Sequence, residues 1–423
     1  MRQAGAHPRV LVLAQNKSQP FTGGGVILTA LFGGFPADRV MFLHRDVDYA
    51  LRSPFEEHRL DWRWLRLDVG ALVAHLRAWL AAAIRAPRAA RPGDLVALLQ
   101  ASCWFRAPRS VERRIRAFHP DVVYAWAADS LWARTLSKMA ARYGVPFVIH
   151  FMDNHVELEA RTPRERALAA VFRPTLANVA SRASVLYTIS DSMGEAYRGY
   201  WKKRHEVYRG ANDIALWTWS APRARAADDL FEIGFTGSAD RSQIRALADI
   251  AAALDVLVRR GRRVRLVLYL TEQYERAARP FLERFDCVEF RRHPDMASLR
   301  EALVALDALI LAYAVDDESK QYYRYSFATK MAAYMLSARP ILAYGPEHIE
   351  PVAYAVRTGA LLLPDRDRNK LADAIDRFIA DEPLRQRMAR AAWETGRREH
   401  DRDAQAARFL ASLKGVVESA HAL

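Results

Sequence analysis

Short continuous apolar runs alternate with segments of helical spacing along most of the chain. Residues 9–14 (RVLVLA) are almost wholly apolar, the pattern of a strand covered on both faces of a parallel sheet. The glycines of Thr22-Gly23-Gly24-Gly25 follow and lead into VILTALF, whose spacing predicts a helix. Strand, glycine loop and helix in that order make a βα unit of the nucleotide-binding kind. Further strands are predicted at 39–43, 121–126, 146–151 and 184–189, with helices at 129–142 and 163–182. The stretch 218–229 (TWSAPRARAADD) has no period and is rich in Ala, Arg and Pro, which marks a linker. Beyond it the alternation restarts. Strands are predicted at 231–236, 264–270, 287–290, 308–312, 340–343 and 360–363, and helices at 244–259, 367–381, 383–397 and 402–418.

Two βα series in tandem, without hairpin signals, predict an α/β chain of two facing Rossmann-like domains with parallel sheets and a ligand cleft near the C-terminal ends of the strands. The domains read as 1–217, a linker at 218–229, and 230–398. The last segment, 399–423, is helical, and return to the first domain is the alternative to its staying with the second.

Composition narrows the classes. With 51% hydrophobic and 26% charged residues among 423, the chain is an ordinary globular one. The longest apolar stretches, 71–84 and 308–315, fall short of the ~20 residues of a spanning helix. The apolar block after the first nine residues ends at Ala14, too short for a secretory signal, so a cytoplasmic location is expected. Cys103 and Cys287 are too few for a disulfide framework and read as buried thiols. The net charge of +14 favours anionic partners. It is uneven: residues 71–119 hold nine arginines and only two acids, Asp94 and Glu112. No nucleic-acid module or aromatic platform accompanies these arginines, and no nucleic-acid partner is expected.

Three places could hold an anion. Gly23, Gly24 and Gly25 let backbone N–H groups approach a phosphate or sugar; they fit neither a GxGxxG nor a Walker A pattern, and a plain turn explains them as well. In GFTGSADRSQIR (234–245) a strand ends at Gly237-Ser238 with Arg241 close behind, a cation near backbone donors. In SFATKMAAYMLSARP (326–340), Thr329 and Lys330 stand near a helix start.

In order along the chain, the Gly-rich loop, VLYTISDSMGEAY (185–197), VYRGAND (207–213), EIGFTGSADR (232–241), TKMAAYMLSARPILAYGP (329–346) and TGALLLPDRDRNKLADAIDRFIAD (358–381) resemble retaining glycosyltransferases of the GT-B fold, family 4 type. The resemblance covers most of 9–400, is weakest over 45–120, and is specific only when the blocks are taken together. It implies transfer of a sugar from a nucleotide-sugar donor to an acceptor hydroxyl, with an N-terminal acceptor domain, a C-terminal donor domain and no cofactor or divalent metal. Gly24 and Gly25 would lie beside the transferred sugar. Gly237, Ser238 and Arg241 would surround the donor diphosphate, with Thr329 beside Lys330, which would face the nucleotide. The family usually has Glu where this chain has Ala333, and often another where it has Tyr325; that Glu holds the ribose, and Tyr334 or Glu318 would have to replace it. A GT-B-like protein that binds a sugar nucleotide without turnover, or a sugar-nucleotide epimerase, are the alternatives.

On the acceptor side, His150-Phe-Met-Asp-Asn-His155 follows a predicted strand. The resemblance puts a His or Asp here; Met152 takes the His position, leaving Asp153 as base for the acceptor hydroxyl, with His150, Asn154 and His155 as neighbours. A helix cap is the other reading of Asp153. The pairs Asp46/Asp48, Asp365/Asp367 and Asp401/Asp403 match DxD only formally, so no metal site is expected. The arginines of 71–119 are interleaved with Leu, Ile, Trp79, Trp104 and Phe105, a mixture suited to an anionic membrane surface. The expected protein is therefore peripheral on the inner face of the cytoplasmic membrane, with a glycan or lipid-linked acceptor.

Overall fold

The computed structural model describes residues 7–14, 23–45, 54–85, 95, 98–99, 102–126, 130–154, 163–224, 229–293, 295, 298–363 and 366–422. The chain forms two compact units, Met1–Arg209 with Asp403–Leu423, and Gly210–Arg402.

The first unit holds strands β1 (Val10–Leu13), β2 (Val40–His44), β3 (Glu56–Arg59), β4 (Leu65–Leu67), β5 (Cys103–Phe105), β6 (Val122–Trp126), β7 (Phe147–Phe151), β8 (Leu186–Thr188) and β9 (His205–Val207). Seven of them make a parallel sheet in the order β3-β2-β1-β6-β7-β8-β9. The apolar runs became β1, β2, β6, β7 and β8. The edge strand β3 reads EEHR and has no apolar run to announce it. β4 and β5 pair antiparallel, against the expectation of parallel strands throughout; the long excursion between them leaves no turn signature to read.

The final helix, Arg402–His421, completes this core. Its Phe409, fully buried, meets Phe32 at 5.1 Å, Tyr208 at 5.4 Å and Tyr187 at 5.6 Å between ring centroids. Tyr187 also hydrogen-bonds Ser412 at 3.0 Å. The edge-to-face rings add specificity to apolar burial.

The second unit carries β10 (Phe231–Gly237), β11 (Val264–Leu270), β12 (Val288–Arg292), β13 (Ala308–Ala312), β14 (Ile341–Tyr344) and β15 (Leu361–Leu362). Their order, β12-β11-β10-β13-β14-β15, is the Rossmann 3-2-1-4-5-6 arrangement, parallel throughout. Ile233, Phe235, Leu266, Leu268 and Ile310 pack with Leu247, Ile250 and Leu254 of the helix Arg241–Arg259 and with Leu371 and Ile375 of Arg368–Ala380.

The described part of the aperiodic stretch 218–229 is bonded to the second unit. Arg339, 1% exposed, donates to the Ser220 carbonyl at 3.0 Å and the Ala221 carbonyl at 3.3 Å. Gln386 reaches the Pro222 carbonyl at 3.1 Å. Through its two terminal nitrogens this buried guanidinium ties backbone carbonyls of a segment that lacks any periodic apolar face. Cys103 and Cys287 are buried free thiols, one in each unit.

Candidate functional site

In an open parallel sheet, ligands bind outside the carboxyl ends of the strands where the order reverses. The second unit reverses between β10 and β13, the first between β1 and β6.

β10 runs two residues past its last apolar position, Phe235, and ends on Gly237, whose φ of +94° belongs to the left-handed region that glycine adopts without strain. The helix after it begins at Arg241, a turn earlier than the apolar spacing from Ile244 indicates. The reason is its cap. Asp240 accepts from the Gln243 N–H at 3.0 Å and the Gln243 side chain accepts from the Asp240 N–H at 3.3 Å, a capping box that was legible as Asp-x-x-Gln before an apolar run. Arg241 is thus the first helical residue and is exposed.

Lys330 approaches the same turn from far along the chain. Its ammonium lies 3.6 Å from the centre of the Phe235 ring and donates to the Ser238 carbonyl at 3.4 Å. A Cβ on Gly237 would be 3.9 Å from Nζ. The side chain is half-buried and packed under the turn, and burial pushes its pKa down to about 7, against the opposing pull of Asp240. A lysine so placed has lost hydration and gained no full counter-ion, which makes an incoming anion its best partner. Gly237, Ser238 and Lys330 are thus neighbours in the fold, with Arg241 on the adjoining helix start and Thr329 next to Lys330.

Residues that were not anticipated brace this turn. Tyr323 donates to the Asp240 carboxylate, and that neighbouring charge adds to burial in holding the phenol well above its usual range. Ser242 accepts from the Ala314 N–H at 3.1 Å and its hydroxyl lies 2.7 Å from that of Ser319, which donates to Asp316 at 2.9 Å. Arg245 pairs with Asp316 at 2.8 Å. Together they fasten the loop beyond β13 to the helix start beyond β10, the two sides of the switch point.

Tyr334 does not replace a ribose-binding Glu. It is fully buried, and its hydroxyl accepts from the Thr236 N–H at 2.9 Å, so it closes the end of β10 from beneath. Ala333 and Tyr325 are buried as well.

In the first unit the glycines are not a loop ahead of the helix but its first turn, Gly23–Phe32. A Cβ on Gly24 would fall 2.0 Å from the Trp126 ring, and Trp126, at the end of β6, is only 7% exposed. Glycine is needed there for this ring to cover the turn. Gly24→Ala should cost about 1–2 kcal/mol, the overpacking penalty less the better helix propensity of Ala. Chemical denaturation checks it, and an unchanged midpoint would show that the ring yields freely. Gly25 is buried next to it.

Asp153 and Asn154 follow β7, at the same edge of the parallel sheet as Gly24; Asp153 is half-buried and Asn154 buried. His155 lies outside the described residues. His150 corrects the expectation of an acceptor-side residue. It is fully buried within β7, with Nδ1 2.7 Å from the Tyr124 hydroxyl. Burial pushes its pKa down to about 3, although the backbone of Tyr208 and Thr188 opposes the shift. Strand alternation points position 150 into the aromatic core, a direction set by packing and invisible in the local motif.

No protein-family model matches the chain, and no curated protein matches its sequence. Solved structures do match its fold. HepE of Anabaena in complex with UDP-glucose superposes with a TM-score of 0.62 at 15% identity, over 96% of this chain and 99% of that one. The sucrose-phosphate synthase of Thermosynechococcus elongatus gives 0.64 at 14% identity, over 97% and 100%. The α,α-trehalose 6-phosphate synthase of Burkholderia multivorans gives 0.62 at 15% identity, over 98% of each chain. The shared architecture is the GT-B fold of two Rossmann-like units.

Proposed function

We propose that this chain is a retaining, metal-independent glycosyltransferase of the family 4 type, moving a hexose from a nucleotide-sugar donor to an acceptor hydroxyl. The observation that carries the reading is Lys330, poised over Phe235 beside the Gly237-Ser238 turn at the switch point of a Rossmann sheet. Support comes from the fold shared with HepE, which has been captured with UDP-glucose and with UDP and glucose. The family 4 assignment rests on the sequence blocks.

The chemistry required is electrostatic. When the bond from the anomeric carbon to the diphosphate oxygen breaks, charge grows on the β-phosphate. The Lys330 ammonium, the Arg241 guanidinium and the amides at the helix start are cationic or dipolar donors for that charge, and they take the part a divalent ion would otherwise play. The acceptor oxygen bonds to the anomeric carbon on the face the diphosphate leaves, and Asp153 takes its proton. Incubation with UDP-glucose and candidate acceptors in EDTA tests the reading: NMR should show an α-linked product, whereas a β-linked product or a chelator-sensitive rate overturns retention or metal independence.

Ala333 favours a second reading, a sugar-nucleotide-binding protein without turnover, because the carboxylate that the resembling family uses for ribose is missing. Binding of UDP-glucose with neither transfer nor hydrolysis would establish it.

The acceptor belongs with the first unit, and a lipid-linked or surface-polysaccharide precursor is the proposed class. The helix Val69–Arg85 exposes Val69, Val73, Leu80 and Ile84, from 42% to 79%, one stripe at helical spacing. Leu67, Leu95 and Leu99 are exposed nearby in sequence. Arg106, Arg109 and Arg113 are exposed, whereas Arg114 is held by both oxygens of Glu56 at 2.8 and 2.9 Å; Arg88 and Arg91 lie outside the described residues. Apolar side chains with free basic neighbours suit an anionic bilayer surface, at about 1 kcal/mol per basic residue. The protein should sediment with phosphatidylglycerol vesicles at low salt and not with neutral ones, and Arg106→Glu, Arg109→Glu and Arg113→Glu together should abolish this. Wild-type protein left in the supernatant would make a soluble acceptor the better reading. Among the described residues no helix is long and apolar enough to cross a membrane.

A further inference from the structure

The helices Val69–Arg85, Ser130–Tyr143 and Pro163–Arg182 of the first unit line a cavity of about 430 Å3, open to solvent, that shares no residue with the strand-end site. Its volume is that of a small-ligand pocket. The room is encoded in the first helix, where Ala71, Ala74, His75 and Ala78 share one face. Small side chains there leave a hollow where larger ones would have packed.

The walls are cationic. Arg134, Lys138 and Arg182 all line the cavity, and Asp68 is the one carboxylate among the lining residues. Asp68 lies 2.9 Å from the Lys138 ammonium and 3.6 Å from the Arg134 guanidinium, so one negative charge is shared between two cations. Arg182 donates to Ser137 at 3.1 Å. His75 adds no charge: it is bonded to Ser102 at 2.8 Å and to Thr175 at 3.2 Å, and burial lowers its pKa further. Three cations against one carboxylate leave a lining charge of +2. Arg134, whose side chain is only 13% exposed, is steadied by a 3.3 Å bond to Thr175. A half-desolvated guanidinium held in place, with two further cations at the rim, matches the several oxygens of a phosphate better than the two of a carboxylate.

We infer that this cavity binds a phosphate monoester, a second anion site separate from the strand-end turn and independent of the transferase reading. Two sources share that chemistry. One is a small soluble phosphomonoester. The other is the phosphate of a lipid headgroup.

Calorimetry with glycerol 3-phosphate and co-sedimentation with phosphatidylcholine vesicles containing phosphatidic acid separate them, using the full chain and its Lys138→Glu/Arg182→Glu variant. Both substituted side chains are exposed, and circular dichroism checks the fold; Lys138→Gln with Arg182→Gln serves if charge reversal unfolds it. The expected result is binding of at least one probe that weakens tenfold or more in the variant, while UDP affinity is unchanged. Glycerol 3-phosphate binding with this loss assigns a soluble ligand. Vesicle binding alone with this loss assigns a lipid headgroup. Binding of neither probe by the wild type, or binding equal in wild type and variant, overturns the site.

Discussion

Lys330→Ala is expected to weaken binding of UDP ten- to a hundredfold, with Arg241→Ala in the same range, because each charge-assisted bond to a diphosphate contributes about 1.5–3 kcal/mol. The lysine should also leave a signature in pH. In the free protein burial holds its pKa at about 7; a bound diphosphate favours the charged form and raises it. Binding then takes up a proton above pH 7. Affinity is fully present below the free-state pKa and falls by up to tenfold per unit as pH rises toward the bound-state value. Calorimetry from pH 6 to 9, in buffers of different ionisation enthalpy, should show that fall and the proton uptake in the wild type and neither in Lys330→Ala. A wild-type affinity flat across this range would remove Lys330 from the anion's neighbourhood. Arg241→Ala should keep the pH dependence, since a guanidinium does not titrate there.

The other large effect is expected at Asp153. As base for the acceptor hydroxyl, its loss should slow the chemical step about a hundredfold or more without touching the donor. Asp153→Asn keeps the shape and any capping bond while removing the charge, which separates the two readings of this residue. Unchanged UDP affinity with transfer reduced to that extent supports the base. Near-normal transfer by a folded variant returns Asp153 to a capping role. His150→Ala is no substitute for this test, because a fully buried His bonded to Tyr124 perturbs the core whatever happens at the surface.

Some of the site was legible before any coordinate. The turn after β10 was visible as an apolar run broken by Gly237-Ser238, whereas the Asp240-x-x-Gln243 cap, also a local signal, went unread and the helix was expected to start only at Ile244. Other parts had no local signal. Nothing around Tyr323 says that its hydroxyl reaches Asp240, 83 residues away, and nothing around Lys330 says that it covers Phe235. The alternation of β7 turned His150 inward, though its motif invited the opposite reading. Gly24 had a motif, but the demand for a missing Cβ that comes from Trp126, about a hundred residues away, had no local signal.

The sequence by itself determined the two βα series, the parallel strands with long apolar runs, and the stretches where glycine and charge coincide at strand ends. Those features are local, since burial on both faces and the φ of a turn are written in a few consecutive residues. Tertiary structure decided the polar edge strand β3, the antiparallel β4–β5 pair, the return of Arg402–His421 to the first unit, and the cationic cavity. Each depends on residues far apart in the chain. A strand such as EEHR, without an apolar face, is placed by the backbone ladder of its neighbour and by the pairing of Glu56 with the distant Arg114. A hollow lined by Ala71, Arg134 and Arg182 exists only once three helices have packed.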